Sequence, residues 1–216
     1  MPVRKIKKNY RSVTGMFYSV KNKRHIAYES LLERDFYLLL EFDGAVIEYE
    51  EQPVALHYKY GNKMIRYTPD CIVHYRDNTR SPCIYEIKYS DEIKDKKVFL
   101  KQKFDQIEQY LFENDMEFVI FTELDIRTQF LENAKFVYRF ANLDPDIAIF
   151  GKIQSVIKEH GSISVSLLLT HISTNKYEQA RYIPYLWNMV FQGTLLIDMN
   201  MPVSTDSILG LANGNT

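Results

Sequence analysis

The chain reads Tyr67-Thr68-Pro69-Asp70-Cys71-Ile72-Val73 and, a turn later, Tyr85-Glu86-Ile87-Lys88-Tyr89. Val, Ile and Tyr in both stretches favour β-strands, where side chains alternate faces and residues two apart stand together, about 7 Å along the strand. Glu86 and Lys88 then share a face. With Asp70 on a neighbouring strand and turned the same way, two carboxylates and one ammonium converge on a small volume. That set suits a Mg²⁺ ion, with Mn²⁺ as substitute: Asp70 and Glu86 supply oxygens, the Ile87 carbonyl adds another, and Lys88 orients or deprotonates an attacking water and offsets charge on a phosphoryl group. An Asp, a gap and Glu-x-Lys form a weak pattern alone. Here both halves fall in β-rich segments separated by one hairpin, with an acid-bearing helix before them and an amphipathic helix after.

The preceding helix is predicted from Glu29, where Leu31, Leu32, Phe36 and Leu39 recur at helical spacing and Asp43-Gly44 gives a stop. Glu33 and Glu29 lie one turn apart on it, and spacing does not choose between them as a further site carboxylate. Val46 to Tyr60 and Met64 to Tyr75 read as strands around the Gly61-Asn62 turn, and Cys83 to Lys88 as a third. A long amphipathic helix follows from Asp91 to Asn114, then a short strand over residues 117–121. Strand, helix, strand in this order predicts a parallel pair with a right-handed crossover. Gln106 and Tyr110, one turn apart on the long helix, are possible accessory residues. A polar helix from about Ile126 to Asn133 and a strand from Phe136 to Phe140 complete an α/β domain, a mixed sheet with flanking helices.

Asn142-Leu143-Asp144-Pro145 breaks the pattern, which divides the chain into a basic arm over residues 1–28, a catalytic domain over 29–144 and a smaller domain over 145–216. In the last, helices are expected over Asp146 to His160, Ser164 to His171 and Lys176 to Gln192. A hairpin of Thr194–Asp198 with Met201–Ser207 follows, a winged-helix-like order. Residues 146–216 hold four Lys and Arg against five Asp and Glu, a poor electrostatic footprint for DNA. That balance favours a protein-docking module over a groove reader.

Charge is unevenly placed. The first 28 residues carry eight basic side chains (Arg4, Lys5, Lys7, Lys8, Arg11, Lys21, Lys23 and Arg24) and no acid, leaving 19 basic against 28 acidic residues in the rest. A basic arm on an acidic body suits DNA, since each neutralised phosphate releases counterions, although a solvated terminus has the same composition. Hydrophobic content of 46% argues for a folded protein, and no apolar run approaches membrane-spanning length. The basic start is not followed by a signal-peptide-like segment, so the cytoplasm is the expected compartment, at the nucleoid when active. Cys71 and Cys83 alone are too few for a structural zinc site and suit strand packing. The five His residues show no metal-ligand spacing, and 8 Gly without a phosphate loop disfavour nucleotide-driven chemistry.

Ser30-Leu31-Leu32-Glu33-Arg34-Asp35-Phe36, Thr68-Pro69-Asp70 and Glu86-Ile87-Lys88, in that order, resemble TnsA, the endonuclease subunit of Tn-seven-like transposases. The small size resembles forms found with CRISPR-associated elements. The resemblance covers about residues 28 to 140 and implies a restriction-endonuclease-like fold with Glu33, Asp70, Glu86 and Lys88 on the catalytic positions, favouring Glu33 over Glu29. Some members carry Gln where this chain has Glu86, which makes Asp70 the more critical ligand. The implied activity is a magnesium-dependent nick at the 5′ ends of the transposon during cut-and-paste transposition. A TnsB-like recombinase subunit would cut and join the 3′ ends, and a TnsC-like AAA+ regulator would contact the C-terminal domain. A stand-alone restriction or repair nuclease of the same fold, or a non-catalytic DNA-binding adapter, would share the same first domain.

Overall fold

A computed structural model describes residues 13–212 apart from Val54, Gly61 and Lys96. One structural unit ends at Arg127 and a second begins at Thr128. The first opens with a hairpin, β1 (Gly15–Ser19) and β2 (Arg24–Tyr28), followed by helix α1 (Leu31–Phe42) and strand β3 (Val46–Glu51). Strands β4 (Leu56–Tyr60) and β5 (Lys63–Tyr67) pair with each other in a separate two-stranded sheet. Then come β6 (Cys71–Tyr75), β7 (Cys83–Ile87), the helices α2 (Ser90–Asp95) and α3 (Lys97–Phe112), strand β8 (Glu117–Phe121) and the short α4 (Glu123–Ile126).

The central sheet has the order β3-β6-β7-β8; β3, β6 and β7 are antiparallel neighbours and β7 runs parallel to β8. The sheet is therefore mixed, as the strand, helix, strand order predicts. Each expected long strand is broken in two by local chemistry. Gln52 adopts φ 43° ahead of Pro53 and its amide turns to the Asp70 carbonyl at 3.1 Å, which ends β3. Pro69 has no N–H to give to a ladder, so β5 stops before it and β6 starts after Asp70.

Period-2 alternation divides the sheet's two faces. Tyr85 points toward α1, where Phe36 packs between it and Phe121 at ring separations of 4.9 and 5.6 Å, and Tyr37 stacks on Tyr49. Ile84 faces the other way, into a cluster with Tyr67, Leu100, Phe104, Ile107 and Leu111 from β5 and α3. Glu86, two residues on from Ile84, is carried to that same α3 face. Cys71 and Cys83 are buried free thiols in the sheet, Cys71 pushed up in pKa by burial and Cys83 to about 11 by the same cause.

Part of the expected basic arm is the β1–β2 hairpin, and a buried glutamate ties it to α1. Glu41 accepts from the Ser19 hydroxyl (2.5 Å), the Tyr49 hydroxyl (2.7 Å) and the amides of Val20 and Lys21 (both 3.0 Å). Four donors compensate a carboxylate that is only 6% exposed.

In the second unit, α5 (Gln129–Val137) and a 3₁₀ turn (Tyr138–Phe140) precede α6 (Ile147–His160), β9 (Ile163–Ser164), α7 (Val165–Ile172), α8 (Lys176–Phe191), β10 (Leu195–Leu196) and β11 (Ile208–Leu211). The segment Phe136 to Phe140 is helical rather than the expected strand. Leu131, Ala134, Val137 and Ala141 are its buried positions, a helical spacing, and Phe136 meets Trp187 edge-on at 5.2 Å. Alternating β-formers lost to tertiary packing. Asn133 of α5 donates to the carbonyls of Met199 and Met201 (2.8 and 2.7 Å) and accepts from Val203, and Asn188 of α8 donates to Phe140. These bonds make α5 part of the second unit, so the structural division falls before it and not near residue 145. They also hold residues 199–203 as an ordered loop, which displaces the expected hairpin partner: β10 pairs instead with β11, in the sheet order β10-β11-β9.

Candidate active site

Register brings the sequence pattern together. Cys71 pairs with Tyr85 on antiparallel strands, so Asp70, one residue earlier, stands beside Glu86, one residue later. The Asp70 carbonyl is held by the Tyr37 hydroxyl (3.2 Å) and the Gln52 amide (3.1 Å), and its Oδ2 accepts from the Ile87 amide at 2.7 Å. Lys88, just past β7, is fixed by its own amide to the Phe121 carbonyl of β8. Its Nζ lies 3.4 Å from Asp70 Oδ2, 3.2 Å from Glu86 Oε1 and 3.3 Å from the Ile87 carbonyl. Asp70, Glu86, Ile87 and Lys88 thus meet at one point, at the end of the sheet's two middle strands.

Burial shapes the charges there. Asp70 is pushed up to about 7, first by desolvation and then by the neighbouring Glu86 charge. Burial alone would lower Lys88, but the Asp70 and Glu86 carboxylates outweigh it and hold the ammonium well above its ordinary value. Lys88 is a cation at neutral pH in this arrangement. A charged Lys88 suits two of the three roles expected for it, orienting a water and offsetting phosphoryl charge.

Two residues that the sequence did not single out complete the surroundings of Glu86. The Tyr67 hydroxyl donates to Glu86 Oε2, and Lys103 of α3 places Nζ 3.8 Å from Oε1 and 4.6 Å from the centre of the Tyr67 ring. Lys103 lies on the stripe of α3 that also carries Gln106 and Tyr110, so helical spacing from the accessory pair would have found it. Tyr110 packs against the Ile84 and Phe104 cluster, and Gln106 is half-buried; Lys103 is an α3 side chain that reaches the Glu86 carboxylate.

Glu33 is placed differently. Its carboxylate accepts from the Glu29 amide and the Ser30 hydroxyl, each at 2.8 Å, while the Ser30 hydroxyl accepts from the Glu33 amide. The Ser30 hydroxyl thus caps α1, and the Glu33 carboxylate turns back onto the residues just before the helix, an arrangement legible as Ser-x-x-Glu. Glu33 is buried and Glu29 exposed, and the Glu33 charge contributes to raising Asp70. Beside it Asp35, 3% exposed, is paired with Arg34 and Arg127 at 2.8 and 3.2 Å.

Among the described residues no set of three or more His, Cys, Asp and Glu side chains is gathered around one metal position. The donors at the sheet end are nevertheless all oxygens: the two carboxylates and the Ile87 carbonyl. That chemistry fits a hard divalent cation and not a thiolate-seeking one.

Of the basic residues expected to bind DNA, Arg4, Lys5, Lys7, Lys8 and Arg11 lie outside the described residues. Lys21 donates to the carbonyls of Asp43 and Val46 (2.6 and 2.9 Å), and burial lowers its pKa. Arg24 makes a two-pronged pair with Glu51 at 2.9 and 2.6 Å. Both side chains are engaged by the fold; Lys21 is half-buried, while Lys23 at the hairpin turn and Arg24 are exposed. Lys21, Arg24, Glu48, Glu51 and His74 border a cavity of about 510 Å³, away from the Asp70 and Glu86 carboxylates.

A mixed sheet flanked by helices, with two acids and a lysine gathered at the end of its middle strands, defines a DNA endonuclease of restriction-endonuclease-like fold. Residues 43–123 match the family described as TnsA-like endonuclease N terminal, and residues 125–199 match the TnsA endonuclease C terminal. The chain therefore belongs to the TnsA endonuclease family, the endonuclease subunits of Tn-seven-like transposases. Asp70, Glu86 and Lys88 lie inside the first matched span, and Glu33 precedes it. The junction between the two matches falls four residues or fewer from the structural division after Arg127. No curated protein matches the chain.

Proposed function

We propose that the chain is a magnesium-dependent nuclease that nicks the 5′ ends of a transposon, working with a separate recombinase that cuts and joins the 3′ ends. The observation that carries this reading is the meeting of Asp70, Glu86 and Lys88 at the sheet end. Asp70, Glu86 and the Ile87 carbonyl would hold the cation, with Glu33 contributing from α1; when bound, Mg²⁺ supplies an acidic water and neutralises phosphoryl oxygens. Lys88 keeps its proton, orients the water and offsets charge building on the phosphorus oxygens. Tyr37, the Ile87 amide and the Gln52 amide fix Asp70 so that this geometry exists before DNA arrives.

Partners follow from the second unit. After α5 and the 3₁₀ turn, its order of helix, strand, two helices and two strands, with β11 between β10 and β9, supports a winged-helix-like reading in which α8 takes the recognition position. Residues 128–216 carry six Lys and Arg against seven Asp and Glu, and Arg181 of α8 is paired with Glu178. A near-neutral face suits a protein partner, a TnsC-like AAA+ regulator, more than a DNA groove. No helix among the described residues is long and apolar enough to cross a membrane, in keeping with action at the nucleoid.

The test uses purified full-length chain, Mg²⁺ and transposon-end DNA, with and without a TnsB-like recombinase and a TnsC-like regulator. The chain alone should leave naked DNA uncut, and 5′ nicks should form when the partners are added. Cleavage at a defined sequence by the chain alone would instead establish the stand-alone nuclease reading. Recombinase and ATPase genes beside this one are the expected genomic setting, and nearby CRISPR genes would support the CRISPR-associated form.

A further inference from the structure

We propose that Tyr67 is a positioning residue for Glu86: its phenol occupies one carboxylate oxygen so that only the other is presented to the cation. The inference rests on the metal reading of Asp70 and Glu86 above. Glu86 is 2% exposed, and its two oxygens have different neighbours. Oε2 accepts from the Tyr67 hydroxyl, whereas Oε1 faces the ammoniums of Lys88 and Lys103 at 3.2 and 3.8 Å. A glutamate is free to turn either oxygen, or both, to a metal. The phenol removes that freedom, because a hydrogen bond to Oε2 is lost if the carboxylate rotates to a bidentate pose.

The ring holding this hydroxyl is itself fixed. Tyr67 is the last residue of β5, 5% exposed, and packs in the cluster formed by Ile84, Leu100, Phe104 and Ile107. Lys103 caps the ring from α3 at 4.6 Å. A neutral donor on a packed ring orders the carboxylate during folding, so the ordering is not left to the binding step.

Lys103 is the internal contrast. It also touches Glu86, but through a positive charge that opposes a cation at Oε1. Tyr67 and Lys103 therefore act on the same carboxylate in opposite directions, which a purely architectural role for either would not produce.

Calorimetric titration of the full chain with Mg²⁺, and with Mn²⁺ as the second probe, reads this directly, with melting curves to verify folding. Tyr67→Phe should weaken cation binding about tenfold. Lys103→Met should strengthen it. In the reconstituted nicking reaction the Tyr67→Phe rate should recover at high Mg²⁺. Unchanged affinity in Tyr67→Phe, loss of affinity in both variants, or a rate depressed equally at every Mg²⁺ concentration overturns the proposal. Wild-type protein gives a second test that needs no variant to fold. The hydroxyl proton resonance of Tyr67 should persist when Mg²⁺ is added, and its disappearance would show the metal taking both oxygens. Should wild-type protein and Asp70→Asn bind cations alike, the metal reading itself fails, an outcome distinct from any of these.

Discussion

Asp70→Asn should stabilise the metal-free protein at pH 8 while abolishing cleavage. In the folded protein Asp70 has been pushed from an ordinary 3.8 up to about 7, by burial and by Glu86. Its folded-state pKa is raised, so between these values the folded chain holds a proton that the unfolded chain releases. Stability from this group is present at low pH and is lost as pH climbs through about 7. Each pKa unit is worth about 1.4 kcal/mol, which sets an upper bound of about 4 kcal/mol. That value already includes the attraction of Lys88 at 3.4 Å; the side chain is 20% exposed, and solvent screening discounts the bound, so about 2 kcal/mol is the expected gain. Lys88 remains charged throughout and adds no slope of its own in this window. The asparagine oxygen can still accept from the Ile87 amide, so the local bond survives. Urea melts in EDTA at pH 5.5 and pH 8 should show wild-type stability falling with pH and the variant flat, the variant melting several degrees higher at pH 8. With Mg²⁺ the wild-type slope should reverse, because the cation competes with the proton for Asp70. A variant less stable than wild type at pH 8 in EDTA, or one that keeps the wild-type slope, would refute the claim that a buried, repelled carboxylate sits at the sheet end.

Other perturbations separate architecture from chemistry. Glu33→Gln keeps an oxygen that can accept from the Glu29 amide or the Ser30 hydroxyl and should fold as wild type while losing nicking; full nicking by this variant would confine Glu33 to a structural part at the start of α1. Glu33→Ala should in addition lose about 1 kcal/mol of stability by denaturant melt. Glu41→Ala leaves the Ser19 and Tyr49 hydroxyls without their buried acceptor and should lose about 3 kcal/mol, with the β1–β2 hairpin becoming protease-sensitive; wild-type stability would show that the hairpin docks by other means.

The sheet end was legible in the sequence because strand periodicity is local: Glu86 and Lys88 two apart, Asp70 one step before a strand, and a helix forcing β7 and β8 parallel. The α3 face was also legible, and helical spacing from Gln106 reaches Lys103, but the contact that gives Lys103 its place was not. Lys103 reads as one more surface lysine until β5 brings Tyr67 beneath it, and that contact is tertiary. Glu33 shows the reverse: Ser30-x-x-Glu33 is a local pattern for a helix start, carried by the same side chain whose charge acts on Asp70. Lys21 and Arg24 belonged to a basic stretch whose counter-groups, the Asp43 and Val46 carbonyls and Glu51, lie about twenty to thirty residues away, beyond any local pattern. The displaced strand of the second unit depended on one buried side chain, Asn133, holding a loop some seventy residues on.

The most direct test of the account is a transposition assay with Asp70→Ala in place of the wild-type chain, the recombinase and regulator being left intact. End-mapping of the products should show 3′-end joining retained and 5′-end cuts absent, so that cut-and-paste insertions give way to replicative cointegrates. Unchanged 5′ cleavage and an unchanged ratio of simple insertions to cointegrates would contradict the assignment of Asp70, and with it the catalytic site.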